Sequence, residues 1–325
     1  MTIDIAEVKR RLQALLNDQN LVNDYVRKFG PSIDIKNIRT VRESRAQGSG
    51  GKEEGKKKED PIYELKVTCP ACRQRDIVSY EMKSKSQSVA MSKFLVPIYT
   101  GTTRFATVNY TLLAPAVCPR CLFASPDKKD FIRKDAAGGE ARSLIPGNVI
   151  MALQERIDER KSLLRPGTDP KSYFKRPRSN EAAIEAYNLA LARAKVEAYY
   201  DQPYSHFKMG AYNLRIAKIL KDMKQDNTEA LNMAIMSLED AFKSSNCPSE
   251  ELEMQTIYLL VALYLKIGDQ KKASTYINVF QNLHGQRLIE MKEDPSLKAN
   301  TITKWRDKAK YIWEDRDEPD LFKND

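Results

Sequence analysis

The spacing of hydrophobic residues changes character twice along the chain. Between residues 62 and 124 the apolar positions come in short β-branched and aromatic runs, YELKV, DIVSYEM, FLVPIY and RFATVNYTLLAPAV, separated by polar or turn residues. Such runs fit strands, and they predict a small antiparallel β module. From Leu144 to about Arg316 the apolar spacing becomes three and four, the period of helices, interrupted by a basic, proline-punctuated connector at Arg165 to Arg178 (RPGTDPKSYFKRPR). Upstream, Ile5, Val8, Leu12, Leu15 and Leu16, then Leu21, Val22, Tyr25, Val26 and Phe29, predict two amphipathic helices before Gly30-Pro31, whose apolar face is expected to dock on the rest of the protein. The stretch Arg42 to Asp60 (RESRAQGSGGKEEGKKKED) has no aliphatic residue beyond one alanine and reads as a flexible linker.

Within the helical region, Ala183-x3-Tyr187-x2-Ala190, Ala234-x3-Leu238-x2-Ala241 and Ala273-x3-Ile277-x2-Phe280 repeat one small-large spacing. That is the spacing of the second helix in a tetratricopeptide unit, where the small residue lets a neighbouring helix approach. Ile257, Leu260, Val261, Tyr264 and Gly268 supply the first helix and turn of the third unit. The repeats stand 51 and 39 residues apart, against about 34 in a regular array, so the array is divergent. The pattern predicts that the second helices stack through Ala183, Ala234 and Ala273, and that a last helix, about Pro295 to Arg316 with Ile302, Trp305, Ala309 and Ile312 on one face, caps the array. First helices would then face a concave groove. On the helix Tyr204 to Lys221 this exposes Lys208, Tyr212, Arg215 and Lys218, a basic surface suited to an acidic or amphipathic segment of a protein partner.

Charge and cysteine usage sharpen this picture. Across 325 residues, 54 lysines and arginines oppose 44 aspartates and glutamates, a net charge of +10 that favours anionic partners without selecting one. Of five cysteines, four fall in Cys69-Pro-Ala-Cys72 and Cys118-Pro-Arg-Cys121, and Cys247 stands alone. Two Cys-x-x-Cys turns can present four thiolates tetrahedrally to one ion at ~2.3 Å, and sulfur ligands on strand turns suit a redox-inert structural zinc. With every ligand supplied by protein, no position remains for a reacting water. The 45 residues between Cys72 and Cys118 exceed the usual ribbon interval of about 15–20, so an inserted hairpin, including Phe94 to Tyr99 and Arg104 to Leu113, is expected to project from the module. A dithiol redox pair would instead open a helix in a βαβ unit.

No Ser-His-Asp order, glycine-rich phosphate loop or paired-carboxylate signature accompanies the two histidines, His206 and His284, so the sequence offers no catalytic constellation. The β module carries eight basic residues against three acidic ones, interleaved with Tyr80, Phe94, Tyr99, Phe105 and Tyr110. This, with the Arg165 to Arg178 connector, supports an alternative reading as a nucleic-acid or ribosome-binding protein. The run Tyr258 to Leu265 falls far short of the ~20 apolar residues that span a bilayer, and the N-terminus has no signal-peptide core; a soluble, cytoplasmic protein is expected.

Taken in order, Cys-Pro-x-Cys, an aromatic β insertion, Val117-Cys118-Pro119-Arg120-Cys121-Leu122-Phe123-Ala124, then Ala183 to Leu191 leading into Tyr264-Leu265-Lys266-Ile267-Gly268, the chain resembles an uncharacterised bacterial domain-of-unknown-function family. The resemblance spans about residues 62 to 283. It implies a zinc-knuckle module followed by tetratricopeptide-like helices, with Cys69, Cys72, Cys118 and Cys121 as ligands. Where the family tends to have Cys-Gly-Tyr-Ala after the second knuckle, this chain has Cys121-Leu122-Phe123-Ala124, which puts the local turn in question. The family brings no assigned reaction.

The combined expectation is an α+β chain: N-terminal helices (1–30), linker (31–60), zinc-ribbon-like β module (61–126), connector with a helix (127–180), tetratricopeptide-like array (181–316) and tail (317–325). The expected role is a non-enzymatic scaffold or adaptor holding one structural zinc ion; a thiol redox switch is a lesser alternative.

Overall fold

The computed structural model describes residues 58–134, 139–244, 247–323 and 325. The N-terminal helices and the linker up to residue 57 lie outside the described residues. The fold is α+β, as the change in period implies. Four antiparallel strand pairs come first: β1 (Ile62–Val67) with β2 (Ile77–Met82), β3 (Gln87–Met91) with β4 (Pro97–Gly101), β5 (Ala116–Val117) with β6 (Ala124–Ser125), and β7 (Arg133–Lys134) with β8 (Glu140–Ala141). The helices follow: α1 (Gly147–Glu155), α2 (Ile157–Lys161), α3 (Pro170–Tyr173), α4 (Asn180–Tyr199), α5 (Ser205–Asp222), α6 (Thr228–Ser244), α7 (Glu250–Lys266), α8 (Gln270–Glu293) and α9 (Asn300–Glu314).

Helix starts follow from capping chemistry. Ser179, Ser249 and Asp269 accept backbone N–H bonds from Ala182, Leu252 and Lys272, satisfying donors the first turns of α4, α7 and α8 leave free. Gly268 turns α7 into α8 at φ +83°, a left-handed conformation glycine adopts without a Cβ penalty. Every residue from Thr256 to Tyr264 is buried, so α7 is apolar all round and sits between α6, α8 and α9. On α9, Ile302, Trp305, Ala309 and Ile312 are all buried, and Trp305 packs its ring 5.2 Å from that of Tyr258.

Ala183, Ala234 and Ala273 are each fully buried, yet the close packing runs between consecutive helices, α4 on α5, α5 on α6, α6 on α7 and α7 on α8, rather than from one alanine-bearing helix to the next. The partner of Ala234 is on α5: a Cβ at Gly210 would fall 2.7 Å from Leu238 and 3.5 Å from the Ala234 carbonyl oxygen. Alanine spacing thus reports a close approach without saying which helix approaches.

The insertion between the knuckles does not project. Its β3–β4 tip carries Phe94 and Val96 into the core shared by α4–α9. There Phe94 stacks on Phe322 with ring centroids 5.3 Å apart, the Lys93 backbone N–H donates to Asp325 Oδ1 at 2.6 Å, and Lys221 Nζ donates to the Phe322 and Lys323 carbonyls. Apolar residues at a tip gain more by burial, about 1.5–3 kcal/mol for a Phe or Val side chain, than exposure would allow. A second core joins Val67, Ile77, Phe123 and Phe131 to Val149 and Leu153 of α1 and Val196 of α4, so strands and helices share both cores.

Candidate metal centre

Each Cys-x-x-Cys lies at the end of a strand pair and folds the same way. In the first knuckle the Cys69 N–H donates to the Gln74 carbonyl (2.9 Å) and the Arg73 N–H to the Cys69 carbonyl (3.1 Å); in the second the Cys118 N–H donates to Phe123 (2.8 Å) and the Leu122 N–H to Cys118 (2.9 Å). Arg73 and Leu122, the residues after each second cysteine, both take φ +59°. The β1–β2 and β5–β6 pairs then bring the two turns face to face. Cys69 Sγ lies 3.5 Å from Cys121 Sγ and Cys72 Sγ 3.5 Å from Cys118 Sγ, with all four sulfurs within 4.8 Å of one another. Four sulfurs at ~2.3 Å from one ion at tetrahedral angles stand about 3.8 Å apart, so this group could hold a metal ion. Neither motif opens a helix, and the close pairs cross from knuckle to knuckle instead of lying within one motif.

Cys69, Cys118 and Cys121 are buried and Cys72 is the half-exposed member. Without a cation the sulfurs cannot all ionise. Contact with the Cys118 and Cys121 sulfurs, added to burial, pushes the Cys69 thiol far up, and contact with Cys121 also raises Cys118. Cys121 moves down, because hydrogen bonds from Cys118 and Cys69 stabilise its thiolate. A metal must therefore displace protons, and its affinity falls as pH falls.

Arg160, which the sequence pattern did not single out, lies beneath the cluster. It is 2% exposed; Nε donates to the Cys121 carbonyl at 3.0 Å and Nη2 to Leu153 at 2.7 Å. Burial lowers its pKa, and the fields of Cys121, Cys69 and Cys118 oppose that. It has no carboxylate partner among the described residues; four thiolates around a divalent ion carry two negative charges, and Arg160 offsets one. Its burial follows from contacts made across the chain, so the sequence carried no signal for it.

Leu122 answers the question raised by its missing glycine: the turn survives, with leucine held in the left-handed region and buried at 2% exposure among helix residues. Leu122→Ala is expected to cost about 2–5 kcal/mol from lost packing. Leu122→Gly loses the same packing but relieves about 1 kcal/mol of backbone strain, so it should be the more stable of the two, the reverse of the usual order. Urea unfolding of the metal-loaded variants decides this, and a weaker glycine variant would remove strain from the account.

The four predicted groove residues separate. Lys208, Tyr212 and Arg215 line a cleft of about 730 Å³ between the β3–β4 tip, the loop after the second knuckle and α5, α7 and α9. Lys218 lies outside it and pairs with Asp222 at 2.8 Å. Tyr212 is buried rather than presented, its hydroxyl accepting from Arg193 Nη2 at 3.0 Å, and Lys208 pairs with Glu197 at 2.9 Å. The reason is that Tyr212 faces α4, where its ring lies 6.1 Å from that of Tyr187 and its hydroxyl meets Arg193. Arg215 lines the cleft with no carboxylate partner among the described residues; Nη1 donates to the Ala211 carbonyl at 2.9 Å. Of the connector's arginines, Arg165 pairs with Glu185, Arg176 with Asp60, and Arg178 is buried. Tyr80 and Phe94 are core residues, which takes them out of any stacking platform.

The chain belongs to a family of uncharacterised proteins conserved in bacteria, DUF2225, whose profile matches residues 62–305, from the start of β1 to Trp305 in α9. Comparisons with curated proteins and with solved structures gave no match. No helix among the described residues is long and apolar enough to cross a membrane.

Proposed function

We propose that this protein is a non-enzymatic scaffold of the cytoplasm in which a single structural zinc ion holds a ribbon-like β module against divergent tetratricopeptide-like helices, and that the cleft over α5 receives an acidic or amphipathic segment of a protein partner. The observation that carries the reading is the closed four-sulfur group: thiolates favour zinc or iron over magnesium or calcium, and a full set of protein ligands leaves no place for a substrate or water. The role of such a centre is to hold shape. What it holds in shape includes the cleft, because the second knuckle leads directly into the loop at Pro126 to Asp130 that forms one wall. Support for the partner chemistry comes from the unpaired Arg215 beside apolar Met91, Leu95 and Leu252.

Native mass spectrometry of freshly reduced protein is expected to find one zinc per chain, and metal-free folded protein would sink the zinc claim. A random peptide display library panned on the zinc-loaded protein should enrich sequences that place aspartate or glutamate beside an apolar residue. Arg215→Glu should weaken those peptides about tenfold or more, whereas Lys218→Glu, outside the cleft, should leave them unchanged. Enrichment of basic peptides, or equal loss in both variants, would remove the cleft from the proposal.

A further inference from the structure

A second recess, of about 300 Å³, lies where the first knuckle, the second knuckle and α3 meet. Its wall brings together Arg75 from the first knuckle's return, Lys171 and Lys175 at α3, and Arg178. Lys171, Lys175 and Arg178 follow one another along the connector, and the fold brings Arg75, about a hundred residues earlier, to the same wall. Arg75, Lys171 and Lys175 are exposed, whereas Arg178 is 7% exposed and forms the recess floor. One carboxylate, Asp76, shares the wall, and its nearest cation is Lys66 at 3.8 Å. Among the described residues none of the four cations has a carboxylate partner, although the adjacent connector arginines, Arg165 and Arg176, both do.

Arg178 is the unusual member. Nε donates to the Phe174 carbonyl at 3.0 Å, and Nη1 to the Pro115 and Leu112 carbonyls at 2.7 and 3.1 Å. These neutral oxygens satisfy hydrogen bonds without cancelling the charge. Burial pulls its pKa down to about 10, so it remains charged at neutral pH. The two negative charges of a metal-loaded four-thiolate centre nearby, one of them offset by Arg160, leave the recess positive. A buried guanidinium without a carboxylate partner, in a recess whose wall carries three further cations, makes that recess positive, and an oxyanion with several acceptor oxygens is the ligand class that offsets this most.

We propose that this recess binds a phosphate group, with Arg75, Lys171 and Lys175 contacting its oxygens at the mouth and Arg178 holding a positive field beneath. The site is independent of the α5 cleft and of its peptide partner. The phosphate could belong to a free phosphorylated compound or to the backbone of a single-stranded nucleic acid, and two arms of one experiment separate these sources.

In the first arm, the full-length zinc-loaded protein is titrated with pyrophosphate at low salt and followed by calorimetry and by backbone amide shifts. Saturable binding that moves the amides of Gln74, Arg75 and Lys171 to Lys175 is expected, with affinity at least about tenfold lower in Lys171→Glu/Lys175→Glu. Both lysines are exposed, so unchanged thermal unfolding should show that the double variant is folded. In the second arm, an oligouridylate of about ten nucleotides replaces pyrophosphate. Tighter binding than pyrophosphate, with a log affinity against log salt slope shallower by about two in the double variant, supports the proposal and assigns the phosphate to a nucleic-acid backbone. Binding of pyrophosphate alone supports it with a free compound as the source. No binding in either arm, or binding that survives the double substitution, overturns it.

Discussion

Arg193→Met is expected to lower the unfolding free energy by about 3–5 kcal/mol, because it leaves buried Asp130 without a cation and buried Glu197 with Lys208 alone. Arg193 has no exposed surface. Its Nη1 meets Asp130 Oδ2 at 2.9 Å and also contacts Glu197, its Nη2 donates to the Tyr212 hydroxyl at 3.0 Å, and its guanidinium lies 5.8 Å from the Phe123 ring centroid. Asp130 is 5% exposed and Glu197 1% exposed, with Ser125 Oγ donating to the first at 2.6 Å and Lys208 Nζ to the second at 2.9 Å. After the substitution only those two donors remain, and neither supplies the bidentate charge that desolvated carboxylates need. Removing an anion with the cation should recover part of the loss, since the cost of breaking a buried ion pair lies mainly in the uncompensated charge left behind. Arg193→Met/Asp130→Asn, which removes the anion left without a cation, is therefore expected to be more stable than Arg193→Met alone. Equilibrium urea unfolding of both variants tests this; a single-variant loss below about 1 kcal/mol would show that water reaches the carboxylates.

This network sits where the chain's elements meet: Ser125 ends β6, Asp130 follows the second knuckle, Arg193 and Glu197 are on α4, and Lys208 and Tyr212 on α5. It was not legible in the sequence, and the reason is physical. A charged residue inside an amphipathic helix reads as solvated unless its partner is near in sequence, and Asp130 is more than sixty residues from Arg193. The same limit hid Arg160, the stacking of Phe94 on Phe322 and the burial of Tyr212, each settled by contacts across the chain. What was legible rests on local rules. The cysteine spacing identified the four sulfurs that come together because a Cys-x-x-Cys turn fixes its own geometry within six residues. The change of period near Leu144 marked the passage from strands to helices. The alanine repeats lie between these cases: burial of Ala183, Ala234 and Ala273 follows from local spacing, whereas the choice of neighbouring helix depends on residues such as Gly210 that no repeat predicts.

Removal of the proposed zinc is expected to have the largest effect of all and to act unevenly along the chain. Structural zinc contributes about 10–16 kcal/mol of apparent binding free energy in small zinc modules, and that binding energy is folding energy for the segments it joins. Here those segments are the β1–β2 and β5–β6 pairs, whose two-residue β5 and β6 strands are too short to stand alone. The core they close contains Val67, Ile77, Phe123, Phe131, Val149 and Leu153, so α1 should loosen with them. The disturbance reaches α4 through Val196 and through Asp130, which Ser125 and Arg193 hold in place. Beyond α5 the helices depend on Leu238, Leu260, Val261, Ala273, Phe280 and Trp305, none of which touches the second core. Chelation, or Cys118→Ser, should therefore speed amide exchange in β1, β2, β5, β6 and α1 by more than about a hundredfold, while α6–α9 keep their protection and helical circular dichroism falls little. Cys247→Ser serves as the control, because that thiol lies outside the four-sulfur group and its loss should leave metal content unchanged. Uniform loss of protection across all helices would mean that the two cores unfold as one unit; unchanged exchange after chelation would mean that the sulfurs hold their positions without a metal.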